Sequence, residues 1–522
     1  MEQWSKALDF AAIGDKYATP RYIFNPQQLH KNVAAYVQLV GSAAGIAYPV
    51  KANPALTVLH ELGRLGCSAD CAGEAEVSLA QEAGIPLSNI IYNTPCPDKA
   101  LALFLLAHHG KVVIDSLEFL EELAHALQGK EYPGILFLRI NPALDLAYST
   151  PMEAHKLLAH GASQAKFGIP AEELLALPHL PLNIQGLHLH IGSRMDRLDN
   201  YIIMLNYLHE IAHALNVKGQ NITWINLGGG LGIPFHSEAV FPEIESFADG
   251  LHSHLLAGFR YMVEPGNSLV GNTMGLLTRV VQMKKMRGKR WGILDVGCDQ
   301  LINQIALKTP HQILNAAHEP LAFSGPDSLG GPLCFAGDVL LPQTDLSKVA
   351  VGDVLFIQHT GAYCYALGNH FNGRYLQGIL TVDATNQLRE AHAVESLYQD
   401  LNHATYNPFS QHIDPLAHEH SGHIDVQVQD VLQLPSILYR ELAPIIKSKF
   451  NLSMQEIKLS YFYWDHLNWG FYEEPIALKF FYMLRSGIQK VTGESQILVY
   501  FLEQSNSLRI RLGIVLNESH RG

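Results

Sequence analysis

The 522-residue chain is 48% hydrophobic and 16% charged, and its formal charge of −13 offers no basic surface to nucleic-acid phosphates or anionic membranes. This length and composition predict two or three compact domains, and no apolar run is long enough to cross a bilayer. Met1-Glu2-Gln3-Trp4-Ser5-Lys6 lacks the charged-then-apolar pattern of a secretion signal, and the cysteines (Cys67, Cys71, Cys96, Cys298, Cys334, Cys364) show no paired metal-ligand spacing. The expectation is a cytoplasmic protein without a structural metal.

In chain order, Tyr17 to Phe24 is expected to form a strand, broken by Asn25-Pro26. Short β-rich runs then recur at Gly45 to Val50, Cys67 to Cys71, Asn89 to Asn93, Lys111 to Asp115, Gly134 to Ile140, Ile184 to Ile191, Ile222 to Leu227 and Arg260 to Val263. Helical stretches such as Glu74 to Ala83, Ser116 to Leu127 and Asp196 to Leu215 separate them. Eight strand-then-helix units over about 230 residues match the size of a (β/α)8 TIM barrel. A doubly wound open sheet has similar periodicity, so the count alone does not choose.

From Asn267 the texture changes to short alternating strands with Gly and Pro turns, as in Asp353-Val354-Leu355-Phe356-Ile357, which predicts a β domain. The expected division is a barrel over residues 26–266, a β domain built from 10–25 and 267–398, a His-, Asn- and Pro-rich linker over 399–424, and a small α+β domain over 425–522. In that last domain, helices are expected over Gln429 to Lys449 and Glu474 to Val491, and a hairpin joins Ile497 to Leu502 with Leu508 to Val515. Its aromatic run, Tyr461 to Trp469, reads as packed core. His412, His418, His420 and His423 are too irregularly spaced for a metal site.

The strand ends carry the chemistry. Lys51 closes the run Gly45-Ile46-Ala47-Tyr48-Pro49-Val50, where a barrel has its active-site rim, and an amine placed there can form a Schiff base with an aldehyde cofactor. After the sixth strand comes Gly186-Leu187-His188-Leu189-His190-Ile191-Gly192-Ser193, and after the seventh Asn226-Leu227-Gly228-Gly229-Gly230. Glycines let backbone N–H groups approach phosphate oxygens. The eighth strand ends in Glu264-Pro265-Gly266, whose carboxylate could hold a pyridinium proton. Together these are the parts of a pyridoxal 5′-phosphate (PLP) site.

On these motifs residues 10–395 resemble the fold-type III PLP decarboxylases, the family of diaminopimelate, ornithine and arginine decarboxylases. The resemblance implies a barrel with an alanine racemase- or ornithine decarboxylase-like β domain. It also implies that Lys51 carries the cofactor and His190 stacks on its ring, while Ser193 with Gly228, Gly229 and Gly230 binds phosphate and Glu264 pairs with the ring nitrogen. Asp70, Glu76 and Arg139 match supporting positions. In Gly331-Pro332-Leu333-Cys334-Phe335-Ala336-Gly337-Asp338, Cys334 resembles the family cysteine that enters the neighbouring subunit's site and returns a proton to the substrate. Tyr363, in Gly361-Ala362-Tyr363, resembles a cofactor contact. A head-to-tail homodimer with shared sites follows.

The departures fall on the expected substrate pocket, made up of Asn267, Asn303, Phe335 and Asp338. Asn267 replaces the arginine of the family's Glu-Pro-Gly-Arg. Asn303 stands where diaminopimelate enzymes carry a second carboxylate-binding arginine, and Leu307 aligns with their tyrosine. Phe335 follows the cysteine where related enzymes place an acid. Asparagine cannot reproduce a bidentate arginine, so the expected substrate is an amino acid other than diaminopimelate, with a neutral, bulky or conjugated distal end, free or carrier-bound. Two alternatives stay open: an amino-acid racemase, and a decarboxylase-like protein that has lost turnover and serves in binding or regulation.

Overall fold

The computed structural model describes residues 4–144, 148–149, 158–236, 240–306, 310–374, 376–383, 385–391, 425–428, 496–504 and 507–515. Within them the chain forms two units, Met1–Asn402 and His403–Gly522. After a 3-10 turn at Trp4–Ala7, the N-terminal segment forms a helix, Phe10–Tyr17, whose first turn is capped by Asp9 accepting from the Ala12 N–H. Strand β1 is confined to Arg21–Phe24. Tyr17, expected at the start of this strand, is instead the last residue of the helix, which stops at Ala18 in the left-handed region (φ 61°).

The next helix, Pro26–Val40, starts at a proline, whose missing N–H costs nothing in a first turn, and is capped by Asn25. The barrel strands then follow: β2 (Ala47–Pro49), β3 (Ser68–Cys71), β4 (Ile90–Asn93), β5 (Lys111–Ile114) and β6 (Ile135–Asn141). After the short β7 (Ile169–Pro170), which pairs with β6 at its end, come β8 (Gly186–His188), β9 (Trp224–Asn226) and β10 (Arg260–Met262). The order β10-β9-β8-β6-β5-β4-β3-β2 is parallel throughout. Backbone bonds from Ala47 N–H to Val263 C=O (2.8 Å) and from Val263 N–H to Gly45 C=O (3.0 Å) join the first strand to the last and close it. All eight expected strands are present, and the TIM barrel is the architecture.

Side chains alternate along a strand, and that parity decides what faces the barrel interior. Ala47, Ile91, Val113, Phe137 and Met262 form a buried cluster separate from the main core. Gly186 leaves room for the Phe137 ring, which a Cβ there would overlap. Continuing the same parity toward the strand C-termini gives Asn93, Arg139, His188, Asn226 and Glu264, a polar layer above an apolar floor. The larger core lies between the outer faces of the strands and the surrounding helices.

The β domain runs in the order β15 (Val339–Thr344), β14 (Asp327–Gly330), β12 (Lys289–Leu294), β11 (Met274–Met286), β1, β17 (Ile379–Val382), β18 (Leu388–Ala391). Strands β13 (Ile313–Leu314) and β16 (Val354–Ile357) extend it through a β16–β11 pairing. The N-terminal β1 is thus an internal strand, antiparallel to β11 and parallel to β17.

In the C-terminal unit, β19 (Asp425–Val428), β20 (Gln496–Gln504) and β21 (Ser507–Val515) make an antiparallel sheet in the order β19-β21-β20. The expected hairpin is β20–β21. The two expected helices, the linker histidines, the aromatic run and Leu307 lie outside the described residues. No helix among the described residues is long and apolar enough to cross a membrane.

Candidate active site

Lys51 follows β2 directly, on a single turn of 3-10 helix (Val50–Ala52). Its Nζ lies 2.7 Å from Asp70 Oδ2, on β3, and its side chain is half exposed whereas Asp70 is fully buried. Burial works against the ammonium, but the charges of Asp70, Tyr363 and Glu264 outweigh it and raise the lysine above its ordinary value. Burial pushes Asp70 up to about 7, with Lys51 pulling the other way. Asp70 Oδ1 has no hydrogen-bond partner, so the carboxyl retains capacity to accept a proton beside the lysine.

Glu264 ends the last barrel strand and is buried. Asn226 Nδ2 donates to its Oε1 (2.7 Å), and His188 Nε2 stands 3.0 Å from its Oε2. Burial favours the protonated acid, but His188, Lys51 and the Asn226 amide prevail and hold the carboxyl below its usual range. Two bonds leave lone pairs on both oxygens for a further donor. Asn93 Nδ2 reaches His188 Nε2 at 3.4 Å, and His188 Nδ1 is buried without a partner.

Arg139, on β6, is buried and pairs with Asp115 (3.3 Å), its guanidinium 4.4 Å from the Phe167 ring centre. His190 accepts on Nδ1 from the Gly229 N–H (3.2 Å), so the ring is tied to the glycine turn. His160 stacks on it with centroids 5.0 Å apart and planes at 27°. Burial, then His160, Arg139, His188 and Lys51, holds His190 well below the ordinary histidine value, and it is a neutral ring at pH 7. Burial also lowers His160, to about 4.

The turn after β9 packs without spare room. A Cβ on Gly229 would overlap the Glu264 carbonyl oxygen, and one on Gly230 the Gly192 carbonyl oxygen. Gly228 N–H donates to Asn226 Oδ1, while the Gly230 N–H donates to no described residue. Ser193 and Arg194 lie alongside, because Met195 N–H bonds the Gly230 carbonyl (2.8 Å). Tyr363, in the left-handed region (φ 60°), donates its backbone N–H to Ala52 C=O (2.7 Å) and puts its hydroxyl at the Gly266 turn. Glu76 accepts from the Ala72 N–H (2.6 Å), holding the turn after β3.

The structure therefore brings Lys51, Asp70, Arg139, His190, Ser193, Gly228–Gly230, Glu264 and Tyr363 to one rim. The remaining expected residues come from the segment after the last barrel strand and from the β domain. Asn267 is buried in the short helix after Glu264-Pro265-Gly266. Asn303 is buried, accepting from Cys364 Sγ (3.6 Å), with its Nδ2 unpartnered; His311, also buried, lies beside Cys364. Cys334 and Phe335 are exposed on a β-domain loop, where the Cys334 N–H donates to Asn372 (2.8 Å). Asp338, expected in the substrate pocket, is buried beneath that loop and accepts from the N–H groups of Leu333 (2.9 Å) and Cys298 (2.7 Å). Its observed partners are backbone amides that shape the Cys334 loop.

Sequence reading missed His188, Asn226, Asn93 and Asp115, the hydrogen-bonding support of Glu264 and Arg139. For His188 the signal was present, since it sits two residues before His190 and so on the same strand face.

The pieces fit PLP: an amine, an ionised acid with free lone pairs, a neutral flat ring and an amide-lined glycine turn. Residues 27–271 match the family model for the pyridoxal-binding domain of pyridoxal-dependent decarboxylases. Diaminopimelate decarboxylase of Archaeoglobus fulgidus is 30% identical over 373 residues, 68% of this chain and 86% of the relative. That of Zymomonas mobilis is 29% identical over 403 residues, 74% and 94% of the two chains. The crystal structure of the Methanocaldococcus jannaschii diaminopimelate decarboxylase in complex with L-lysine superposes with a TM-score of 0.64 at 26% identity, covering 76% of this chain and 94% of that one. With the barrel, the β domain and the strand-end constellation all accounted for, the chain belongs to the PLP-dependent amino-acid decarboxylases.

Proposed function

We propose that the rim described above is the catalytic site of this carboxy-lyase, and that it acts on an amino acid or amino-acid conjugate other than diaminopimelate. The observation that carries the first part is the seam: Lys51 and Glu264, from the first and last barrel strands, are held within electrostatic reach by Asp70 and His188. Lys51 Nζ would hold the cofactor's aldehyde, Glu264 its pyridine nitrogen, His190 one ring face, and Ser193 with Gly228–Gly230 its phosphate. Arg139 and Tyr363 support the ring and the phosphate end. When bound, PLP supplies an electron sink for the pair released as the substrate carboxylate departs as carbon dioxide.

The chain's own groups do the rest. Asp70, 2.7 Å from Nζ, orients the Lys51 amine and favours its ammonium, whose proton must leave before the nitrogen can act as a nucleophile. Glu264, held ionised, keeps a proton on the ring nitrogen. Cys334 Sγ, exposed on its loop, delivers a proton to the substrate Cα in a second copy's site. That step supports reading the active assembly as a head-to-tail homodimer.

The substrate assignment rests on Asn267 and Asn303, both buried and neither able to form a bidentate pair with a carboxylate, and on Phe335, 48% exposed beside Cys334. Carbon dioxide release from a panel of free and conjugated amino acids tests both parts. Turnover of some panel member but not diaminopimelate is expected. Diaminopimelate turnover matching the best substrate overturns the assignment, and absence of release from every compound overturns the catalytic reading.

A further inference from the structure

A ring that meets a cofactor through its face must be held at the right tilt as well as in the right place. For His190 the Gly229 N–H supplies the place, donating to Nδ1 at 3.2 Å and fixing one edge of the imidazole. Because Nδ1 accepts, the ring's own proton is on Nε2. One in-plane bond still leaves the ring free to tilt about that bond. His160 blocks the tilt, its ring stacked on one face of His190 with centroids 5.0 Å apart and planes at 27°.

His160 is carried by a segment stitched to the strand end that bears His190. The N–H groups of His160 (2.8 Å) and Gly161 (2.9 Å) both donate to the Ile191 carbonyl, the Ser193 N–H donates to the Leu158 carbonyl (3.1 Å), and Ala159 bridges to Gly192 in antiparallel register. Gly161 lies so close to Ile191 that a Cβ there would crowd it. The His160 ring also packs against Phe167 at a steep angle, with centroids 5.3 Å apart and planes at 69°. Phe167 is itself pinned, by the Arg139 guanidinium 4.4 Å from its ring centre and by Asn141 Nδ2 donating to its carbonyl (2.8 Å). His160 is therefore fixed by contacts independent of His190. Burial, Arg139 and Lys51 lower His160 to about 4, and His190 is also held down, so at pH 7 the two stacked rings are neutral and do not repel.

We propose that His160 is a positioning residue: it backs one face of His190 and so leaves the opposite face as a pre-set platform for the cofactor ring. This rests on the reading of His190 as the residue that stacks on the cofactor. A platform already held in its plane need not be ordered when the ring binds, which stabilises the bound state.

PLP affinity is measured by absorbance titration of the full-length chain stripped of cofactor, in wild type, His160→Ala, His160→Phe, His190→Asn and the double variant His160→Ala/His190→Asn. Asparagine keeps an acceptor near the place of Nδ1 for the Gly229 N–H while removing the ring. His160→Ala should weaken PLP by about 3- to 10-fold, the range of one lost ring–ring contact. His160→Phe, which restores a flat ring, should recover most of that loss. In the His190→Asn background, His160→Ala should change affinity by less than about twofold, since the platform it backs is gone.

Equal weakening in both backgrounds, or none in the wild-type background, overturns the proposal. Tighter binding in His160→Ala overturns it too, because the ring would then stand in the cofactor's place. His190→Asn alone separates the two readings. If it weakens PLP while His160→Ala does not, the role of His160 falls and the stacking reading stands; if it leaves PLP affinity unchanged, the stacking reading falls and takes the proposal with it. Should His190→Asn not fold, the circular dichroism that the protein induces in bound PLP decides. A weaker signal per bound cofactor in His160→Ala, restored in His160→Phe, supports the proposal, and an unchanged signal overturns it.

Discussion

His188 Nε2 stands 3.0 Å from Glu264 Oε2, and this buried contact joins the end of β8 to the end of β10 across β9. The acid at the barrel seam thus owes its ionisation to a residue two strands away. Glu264→Gln keeps volume and removes the charge, so kcat should fall by about 10²- to 10³-fold with the fold intact. His188→Leu should give a smaller loss, because Asn226 still holds one oxygen. Steady-state decarboxylation and thermal melting of both variants check this.

Lys51→Ala removes the amine that would bond the aldehyde. Borohydride treatment of wild type with PLP should add the mass of one reduced cofactor per chain, and none to the variant. Intact-protein mass spectrometry reads the result, and an adduct on Lys51→Ala would move the bond to another lysine.

If Cys334 serves the partner's site, two inactive variants should rescue each other. Lys51→Ala and Cys334→Ala, dissociated and mixed in equal amounts, should regain up to about one quarter of wild-type activity, since half the dimers are mixed and each mixed dimer has one complete site. Activity no higher than the separate variants would place each site within one copy.

Gly229→Ala puts a Cβ against the Glu264 carbonyl oxygen. The backbone must move, and a loss of about 1–3 kcal/mol with weakened PLP binding is expected. Gly73→Ala is the control: its φ of −171° is extended, nothing lies within 4 Å of the added atom, and its melting temperature should stay at the wild-type value.

His311 is fully buried, donates from Nδ1 to the Gln358 carbonyl (2.8 Å), and is held down to about 3 by burial. The unfolded chain protonates it near pH 6.5 and the folded chain does not, so its stabilising contribution is complete above about 6.5 and declines as pH falls toward 3. At pH 5 the loss is about 2 kcal/mol. Melting temperatures from pH 7.5 to 5 should therefore fall less in His311→Gln than in wild type.

The barrel was legible because eight apolar runs recur at regular spacing and the chemistry at their ends chose it over an open sheet; Lys51, the glycine turn and Glu264 were legible because each terminates such a run. Partners contributed from other strands were not. Asp115 serves Arg139 and Asn226 serves Glu264 through pairings that sequence order does not reveal. Asp338, expected in the substrate pocket, also accepts from the backbone amides of Leu333 and Cys298, a structural duty that no residue pattern signals. Tyr17 was assigned to a strand on β propensity, and Asp9 won by capping a helix that runs through it.

The closing bonds between Gly45–Ala47 and Val263 have a consequence for synthesis. The amine and the acid are separated by nearly nine-tenths of the barrel's sequence and become neighbours only when the final strand docks on the first. A nascent chain that has not yet delivered Val263 leaves β2 as an open edge and Lys51 without Glu264. The β domain then adds its own clasp, with Asn53 Nδ2 donating to the Gly361 carbonyl (2.9 Å) and Tyr363 N–H to Ala52. With the rim holding the cofactor as proposed, its capture becomes a late checkpoint of assembly, passed by a chain that has completed its barrel and seated its second domain.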